Sequence, residues 1–400
     1  HSIEIYNGTM KIKILYIIET LGIGGAENLL LNTVKFLNKN DFEPYVLYLF
    51  YDDDLAKEFE EMEVSVIGPI FDTYSCVGVN NIVDFFRGIN RVRKIVRKVK
   101  PDIVHTNLFF ANIYGRLGSW FGGVNKVITT LHNIDYSEET NNSFRFILRK
   151  SLDFITGRLL VKTFIVGNKA IKENMMSYMG SNNIELVYNG IDVNQIRHRN
   201  FDHSMDNIKE ELGLRPEENV LLNIGRLHYQ KGQRFLIEAM PNIIKNSKTK
   251  LLIAGSGPLE QELKLLAKKL GVVDSVIFLG KRKDIDSIIE LSDIFVFPSL
   301  FEGLAISLLE VMAHAKPVIL FDYQGAQEII VNQNEGLVIP VRDVDALEKG
   351  ILTLLGSSKM RKKMGENSLQ KVDILFNIAK NNRALEKIYF DVMNTDMYPA

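Results

Sequence analysis

What this chain lacks narrows it quickly. It has one cysteine, Cys76, in 400 residues, so no disulfide can form within it, which suits a reducing cytoplasm. No apolar run reaches the ~18 residues of a membrane span; the longest candidate, Leu291 to Met312, is broken by Asp293, Glu302 and Glu310. The stretch from Lys11 to Leu21 has the apolar look of a secretory signal, but Glu19 interrupts it and strand formers fill it. Excess charge of one sign is missing too. Lys and Arg total 48 against 49 Asp and Glu, a formal net charge of −1, which gives no general electrostatic case for binding nucleic acid. No sequence repeat relates one half of the chain to the other.

What is present is the composition of a soluble globular protein, 46% hydrophobic and 24% charged. Four hundred residues exceed one ordinary core and predict two domains of roughly 150–200 residues. Apolar β-branched runs alternate with helix-period segments, so the fold class is α/β, with two doubly wound, Rossmann-like domains expected to face a cleft. Strands are predicted over 13–18, 44–50, 64–67, 103–104, 127–131 and 163–166. After Asn189-Gly190 the pattern restarts over 220–224, 250–254, 276–279, 294–297 and 317–320. The expected domains are 10–183 and 184–373, followed by a closing helical segment, 374–400. Residues 1–9, ahead of Met10, are set aside as an appended segment.

The densest chemistry lies at 301–310, Phe-Glu-Gly-Leu-Ala-Ile-Ser-Leu-Leu-Glu, read with Gly225-Arg226 and Lys231-Gly232. Arg226 and Lys231 follow a buried strand, and a guanidinium fork with an ammonium suits the oxygens of a diphosphate. A surface ion pair in a strand-to-helix loop is the plainer account of those two cations. Glu302, ahead of a helix start, can accept from sugar hydroxyls, while Gly303, with Leu304 and Ala305, lets backbone amides approach an anion. Glu310, about two turns on, is reachable by a ribose diol. Each Glu alone reads equally as a capping or solvated carboxylate. Ligands of open α/β sheets bind beyond the carboxyl ends of the strands, and all these residues follow strands.

In the first half, Gly22-Ile23-Gly24-Gly25-Ala26-Glu27 resembles a dinucleotide fingerprint whose third glycine is replaced by Glu27. Gly24 and Gly25 are taken as close-approach glycines for phosphates or acceptor. Asp52-Asp53-Asp54 carries an acid-x-acid pattern that could chelate a divalent ion, though a charge run after a strand is commonly a solvated loop. His132 and His105 end predicted strands and are candidates for orienting or acid–base work, with structural roles as the alternative. From Arg87 to Lys100 there are seven cations and no acid, with Ile89, Val92, Val96 and Val99 at helical spacing. That is an amphipathic helix whose basic face is either simply solvated or drawn to anionic lipid headgroups.

These residues together resemble the retaining, GT-B-fold glycosyltransferases of family 4, over nearly all of Met10 to Met393. The carriers are Gly24 to Glu27, Pro101 to His105, Thr130 to His132, Tyr188 to Asp192, Gly225-Arg226 with Lys231-Gly232, and Glu302 to Glu310. The resemblance implies a nucleotide-sugar donor, a UDP-sugar by family habit, bound mainly by the C-terminal domain. Arg226 and Lys231 would hold the diphosphate, Glu310 the ribose, and Glu302 with Gly303, Leu304 and Ala305 the transferred sugar. His132, Gly24 and Gly25 would come from the N-terminal domain, and Gly280, Lys281 and Arg282 are the candidate nucleobase region. Asn107 departs from a second histidine common in relatives. The resemblance also implies a closing helix returning to the first domain and front-face transfer without a cofactor or required metal. The acceptor would be a polysaccharide, a lipid-linked oligosaccharide or another glycan. Location in the cytoplasm, at most peripheral to the inner face of the membrane, follows. A sugar-nucleotide epimerase and a non-catalytic nucleotide-sugar-binding protein remain the alternatives.

Overall fold

The structure is a computed structural model that describes residues 11–72, 82–132, 144–179, 183–197, 202–303 and 305–394. The chain forms two compact units, one built from residues 1–189 with 378–400 and the other from 190–377.

The first unit holds a seven-stranded sheet: β1 (Ile12–Ile18), β2 (Phe42–Tyr48), β3 (Ser65–Ile67), β4 (Ile103–Asn107), β5 (Val127–Leu131), β6 (Thr163–Val166) and β7 (Ile184–Leu186). All neighbours are parallel and the order is β3-β2-β1-β4-β5-β6-β7. A strand covered on both faces needs apolar side chains on both, which is why β1 reads Ile-Lys-Ile-Leu-Tyr-Ile-Ile without alternation. Its two-residue period divides those side chains between two cores. Ile14, Tyr16 and Ile18 pack with Leu30 and Val34 and with Leu385, Tyr389 and Val392 of the closing helix Ile378–Asn394. Leu15 and Ile17 pack on the opposite face with Val92, Val96 and Tyr114. The closing helix thus belongs to this unit.

The second unit holds β8 (Asn219–Ile224), β9 (Thr249–Ala254), β10 (Val276–Gly280), β11 (Ile294–Phe297), β12 (Val318–Phe321) and β13 (Gly336–Ile339). It is again all parallel, in the order β10-β9-β8-β11-β12-β13. Helices Gln233–Asn246, Glu260–Lys269 and Val344–Leu355 cover one face through Leu236, Met240, Leu263, Ile351 and their neighbours. Among the described residues of the chain no helix is long and apolar enough to cross a membrane.

Several expected boundaries move. The first division falls at Asn189, not 183, because Ile184–Leu186 hydrogen-bonds to β6 as an edge strand. The second falls after Asn377, not 373, because helix Ser358–Leu375 stays with the second unit: its Gly365 lies so close to Ala315 that a Cβ would sit 1.8 Å from the carbonyl oxygen. β4 extends three residues beyond the predicted 103–104, since His105, Thr106 and Asn107 are buried strand residues with polar partners.

Candidate functional site

In each sheet the strand order reverses once, between β1 and β4 and between β8 and β11. Loops diverging from such a point leave a crevice at the carboxyl ends of the strands. The Gly22–Gly25 loop falls at the first of these places and Arg226, Lys231 and Glu302 at the second, whereas His132 follows β5 and Gly280, Lys281 and Arg282 follow the edge strand β10.

In the second unit the loop after β8 and the loop after β11 are fastened together. Gly232 adopts φ +62, and a Cβ there would lie 2.0 Å from the Pro298 carbonyl oxygen, so only glycine lets the two backbones meet. The Leu300 N–H donates to the Gln230 carbonyl at 2.8 Å, and Gln230 Nε2 donates to the Phe301 carbonyl at 2.9 Å. Lys231 lies across Gly225, with Nζ 5.4 Å from the centre of the Phe297 ring and 2.5 Å from Glu302 Oε1. Glu302 is only 7% exposed. A third loop, after β9, joins them: Gly255 and Gly257 abut the Gly225 and Leu227 carbonyls so closely that Cβ atoms would stand 2.0 and 2.4 Å away.

Arg226 is exposed, and its guanidinium makes no hydrogen bond or ion pair among the described residues. Burial, then the Arg226 and Lys231 charges, hold the His228 imidazole below its ordinary pKa, so it adds no third charge beside the two cations. Among the described residues the Tyr323 hydroxyl is buried without a partner, and burial together with the Glu302 charge raises its pKa far above the ordinary value. The helix Ile306–Ala313 starts from Ala305, whose side chain caps nothing, and Glu310 sits half-buried within it. Gly303 is buried, and Leu304 lies outside the described residues. Of the nucleobase candidates, Gly280 takes φ +66 and Lys281 is exposed. Arg282 differs: it is engaged by Glu211 at 2.6 Å and Asp284 at 2.6 Å. Its guanidinium is committed to an ion triad instead of lying open to a base.

In the first unit the glycine loop makes room for this chain's own acids. A Cβ on Gly22 would lie 2.1 Å from Asp52 Oδ2, and one on Gly24 would lie 2.3 Å from Glu27 Oε2. The space beside Gly24 is therefore filled by a carboxylate, whereas nothing stands within 4 Å of a Cβ on Gly25. Glu27 accepts from Thr20 Oγ1 at 2.9 Å, and its pKa is raised by burial, with the nearby Asp52 charge adding. Glu19, which the sequence offered only as a break in an apolar run, accepts from the Phe110 N–H at 2.7 Å. Burial, with the Glu27 charge adding, pushes its carboxyl up to about 7. Among the described residues no three His, Cys, Asp or Glu side chains converge as metal ligands.

The two histidines separate. His105 is buried, with Nδ1 2.8 Å from the Tyr389 hydroxyl and Nε2 2.7 Å from Thr130 Oγ1, and Tyr389 meets Tyr16 at 3.0 Å. Burial lowers its pKa to about 3. This network pins the closing helix to β1, β4 and β5, a structural duty that removes His105 from acid–base candidacy. His132, just past β5, places Nε2 3.2 Å from Asn107 Oδ1. Burial lowers it to about 4, so it is a neutral hydrogen-bonding group rather than a cationic acid. Asn107, the departure noted in the sequence, thereby positions His132, while its own Nδ2 is buried without a partner among the described residues.

Sequence reasoning missed Gln230, Gly255, Gly257, Tyr323 and Glu19 as parts of the site. The Gly-Ser-Gly-Pro run at 255–258 was the visible signal; a lone Gln, Tyr or Glu carries none until its neighbours are known.

Comparison with known proteins follows the same division. Residues 23–195 match the family described as Glycosyltransferase Family 4, and residues 204–371 match Glycosyl transferases group 1. An uncharacterized glycosyltransferase of Methanocaldococcus jannaschii is 30% identical over 85% of this chain and 81% of its own length. The UDP-Gal:alpha-D-GlcNAc-diphosphoundecaprenol alpha-1,3-galactosyltransferase of Escherichia coli is 27% identical over 80% of this chain and 82% of its own. In fold, the crystal structure of Anabaena HepE in complex with UDP and glucose is similar with a TM-score of 0.82 at 19% identity, covering 95% of this chain and all of that one.

Proposed function

Since the chain belongs to the family 4 glycosyltransferases and is an enzyme of that class, we propose that it moves a sugar from a UDP-sugar to a lipid-diphosphate-linked or other glycan acceptor, with retention at the anomeric carbon. The observation that carries this is Lys231 and Glu302 held side by side at the β8–β11 reversal, next to the exposed Arg226.

In this reading Arg226 and Lys231 bind the diphosphate, Glu302 with the Gly303–Ala305 backbone takes the transferred sugar, and Glu310 takes the ribose. The bond from the anomeric carbon to the phosphate oxygen loosens toward an oxocarbenium ion. The acceptor oxygen bonds to that carbon from the same face, and its proton passes to the departing phosphate. Two cations on the leaving group supply the charge stabilisation, so no metal is required. His132, neutral and aimed by Asn107, serves as a hydrogen-bond partner for a sugar hydroxyl. The carboxylates of Glu27 and Asp52 around Gly22 and Gly24 would repel a pyrophosphate, which supports assigning that loop to a hydroxylated acceptor. The choice of UDP and of a diphospholipid acceptor draws on the similar E. coli galactosyltransferase and on HepE.

Titrating candidate nucleotide sugars in a thermal-shift assay tests donor choice, since a ligand at 100 times its Kd should stabilise by about 2.7 kcal/mol. Incubation of the responding donor with an undecaprenyl-diphosphate sugar should then give a lengthened glycan. Isomerisation of the donor without acceptor would instead make the protein an epimerase, and binding without any reaction would make it a non-catalytic receptor.

A further inference from the structure

Tyr323 follows β12, the strand paired with β11, and its backbone is fixed by the Ala326 N–H, which donates to the Tyr323 carbonyl at 2.9 Å. Its ring meets that of Phe297 edge-on, with the centres 6.5 Å apart, and Lys231 Nζ lies 5.4 Å from the centre of the same Phe297 ring. Phe297 is therefore the common neighbour of Tyr323 and of the cation paired with Glu302. Tyr323 is 3% exposed, and its hydroxyl has no hydrogen-bond partner among the described residues. A phenylalanine would fill the same space without the cost of an orphaned buried hydroxyl. The fold itself gives this donor no assignment.

Glu302 supplies one. Lys231 is its one hydrogen-bond donor among the described residues. Binding a diphosphate asks that same ammonium to meet phosphate oxygens. Glu302 then loses much of its compensation while still nearly buried, which is costly for a carboxylate. Among the unpartnered buried atoms of these strands and loops, Asn223 Oδ1 and Gln233 Oε1 are carbonyl oxygens and cannot donate, whereas Ser299 and Tyr323 carry hydroxyls that can. Of these two, Tyr323 feels the Glu302 charge: burial and that charge keep the phenol protonated, so toward a carboxylate it acts only as a donor. We infer that Tyr323 is a positioning residue, whose hydroxyl takes over the hydrogen bond to Glu302 when Lys231 turns to the diphosphate and so holds the carboxylate in place for the sugar. The inference rests on the donor reading above and adds to it the group that keeps Glu302 aimed.

Calorimetric titration of the full chain with UDP, GDP and ADP tests it, using whichever of the three the wild type binds most tightly. Tyr323→Phe is expected to weaken that nucleotide about 10–100-fold, the loss of one hydrogen bond to a charged group. In chemical denaturation without nucleotide the same variant should be as stable as the wild type or more so, since no bond is lost there. In a Glu302→Gln background, where no carboxylate charge calls for a donor, Tyr323→Phe should change nucleotide affinity by less than about threefold. A purely structural tyrosine would instead destabilise the free protein and show the same loss in that background, which would overturn the inference. Unchanged affinity in Tyr323→Phe would overturn it alone, as would a loss seen in Ser299→Ala in its place. Failure of the wild type to bind any of the three nucleotides would overturn the donor reading itself, and the inference with it.

Discussion

Lys231 Nζ stands 2.5 Å from Glu302 Oε1 although the two residues are 71 positions apart in sequence. The cation assigned to a leaving diphosphate and the acid assigned to the sugar therefore compensate each other, on two loops fastened by Gly232, Gln230 and Leu300. Such a pair keeps both charges oriented without leaving either one buried and alone.

Lys231→Ala should lower turnover about 10²–10³-fold at saturating donor, as when one charge-stabilising donor is lost. It should also destabilise the fold by about 3–5 kcal/mol, since a nearly buried Glu302 is left uncompensated. The double variant Lys231→Met/Glu302→Gln should regain most of that stability and none of the activity. Near-normal turnover in Lys231→Ala would remove the lysine from the assigned role.

Glu19 gives a pH signature. Its folded pKa is about 7 against an ordinary 4.5, so between those values the native state holds a proton that the unfolded chain has released. Stability attributable to this group is therefore present at pH below 4.5 and is lost as pH rises to 7. The full loss corresponds to at most about 3 kcal/mol. Glu19→Gln, which can still accept from the Phe110 N–H, should flatten that slope and be the more stable protein above neutrality. Parallel denaturation curves for the two proteins across this window would rule the assignment out.

His105 and His132 act in the opposite sense. Their folded pKa values, about 3 and about 4, lie below the ordinary 6.5, so the unfolded chain takes up protons first as the solution is acidified. Stability contributed by keeping them neutral is present above pH 6.5 and declines toward pH 4. Urea midpoints measured through that range should fall, and His105→Gln should fall less steeply with pH than the wild type even if it starts lower.

Gly232 and Gly25 should respond differently to the same change. Gly232→Ala places a Cβ against the Pro298 carbonyl at a positive φ and should cost about 1–3 kcal/mol, with loss of nucleotide affinity as the two loops part. Gly25→Ala begins a helix in open space and should stay within about 0.5 kcal/mol of the wild type. Equal effects in chemical denaturation would contradict the close approach described above.

How much of this was legible in the sequence follows from the range of each interaction. The strands 127–131, 163–166 and 294–297 were read to the residue, because a buried parallel strand announces itself as a short apolar run. Three-residue β7 and Gly-led β13 were not: β7 is too short to show a period, and β13 opens on a glycine after the polar run Asn332 to Glu335, which reads as a turn. β4 was cut short because His105, Thr106 and Asn107 look like loop residues until Tyr389, Thr129 and His132 are seen beside them. The motif at 301–310 pointed to a loop and helix start after a strand, and the structure places it there. It gave no hint that Gln230 would brace it, nor that Glu27 would fill the gap beside Gly24.

Local composition by itself determined the α/β class, the count of two sheets and the positions after strands where chemistry collects, because hydrophobic period and turn residues act over a few neighbours. Which cations stay open and which are neutralised was decided only by tertiary structure. Arg226 and Arg282 are the same residue type after parallel strands, yet one is exposed and the other is held by Glu211 and Asp284. Charge pairing depends on distance in space, and the chain order does not carry that distance.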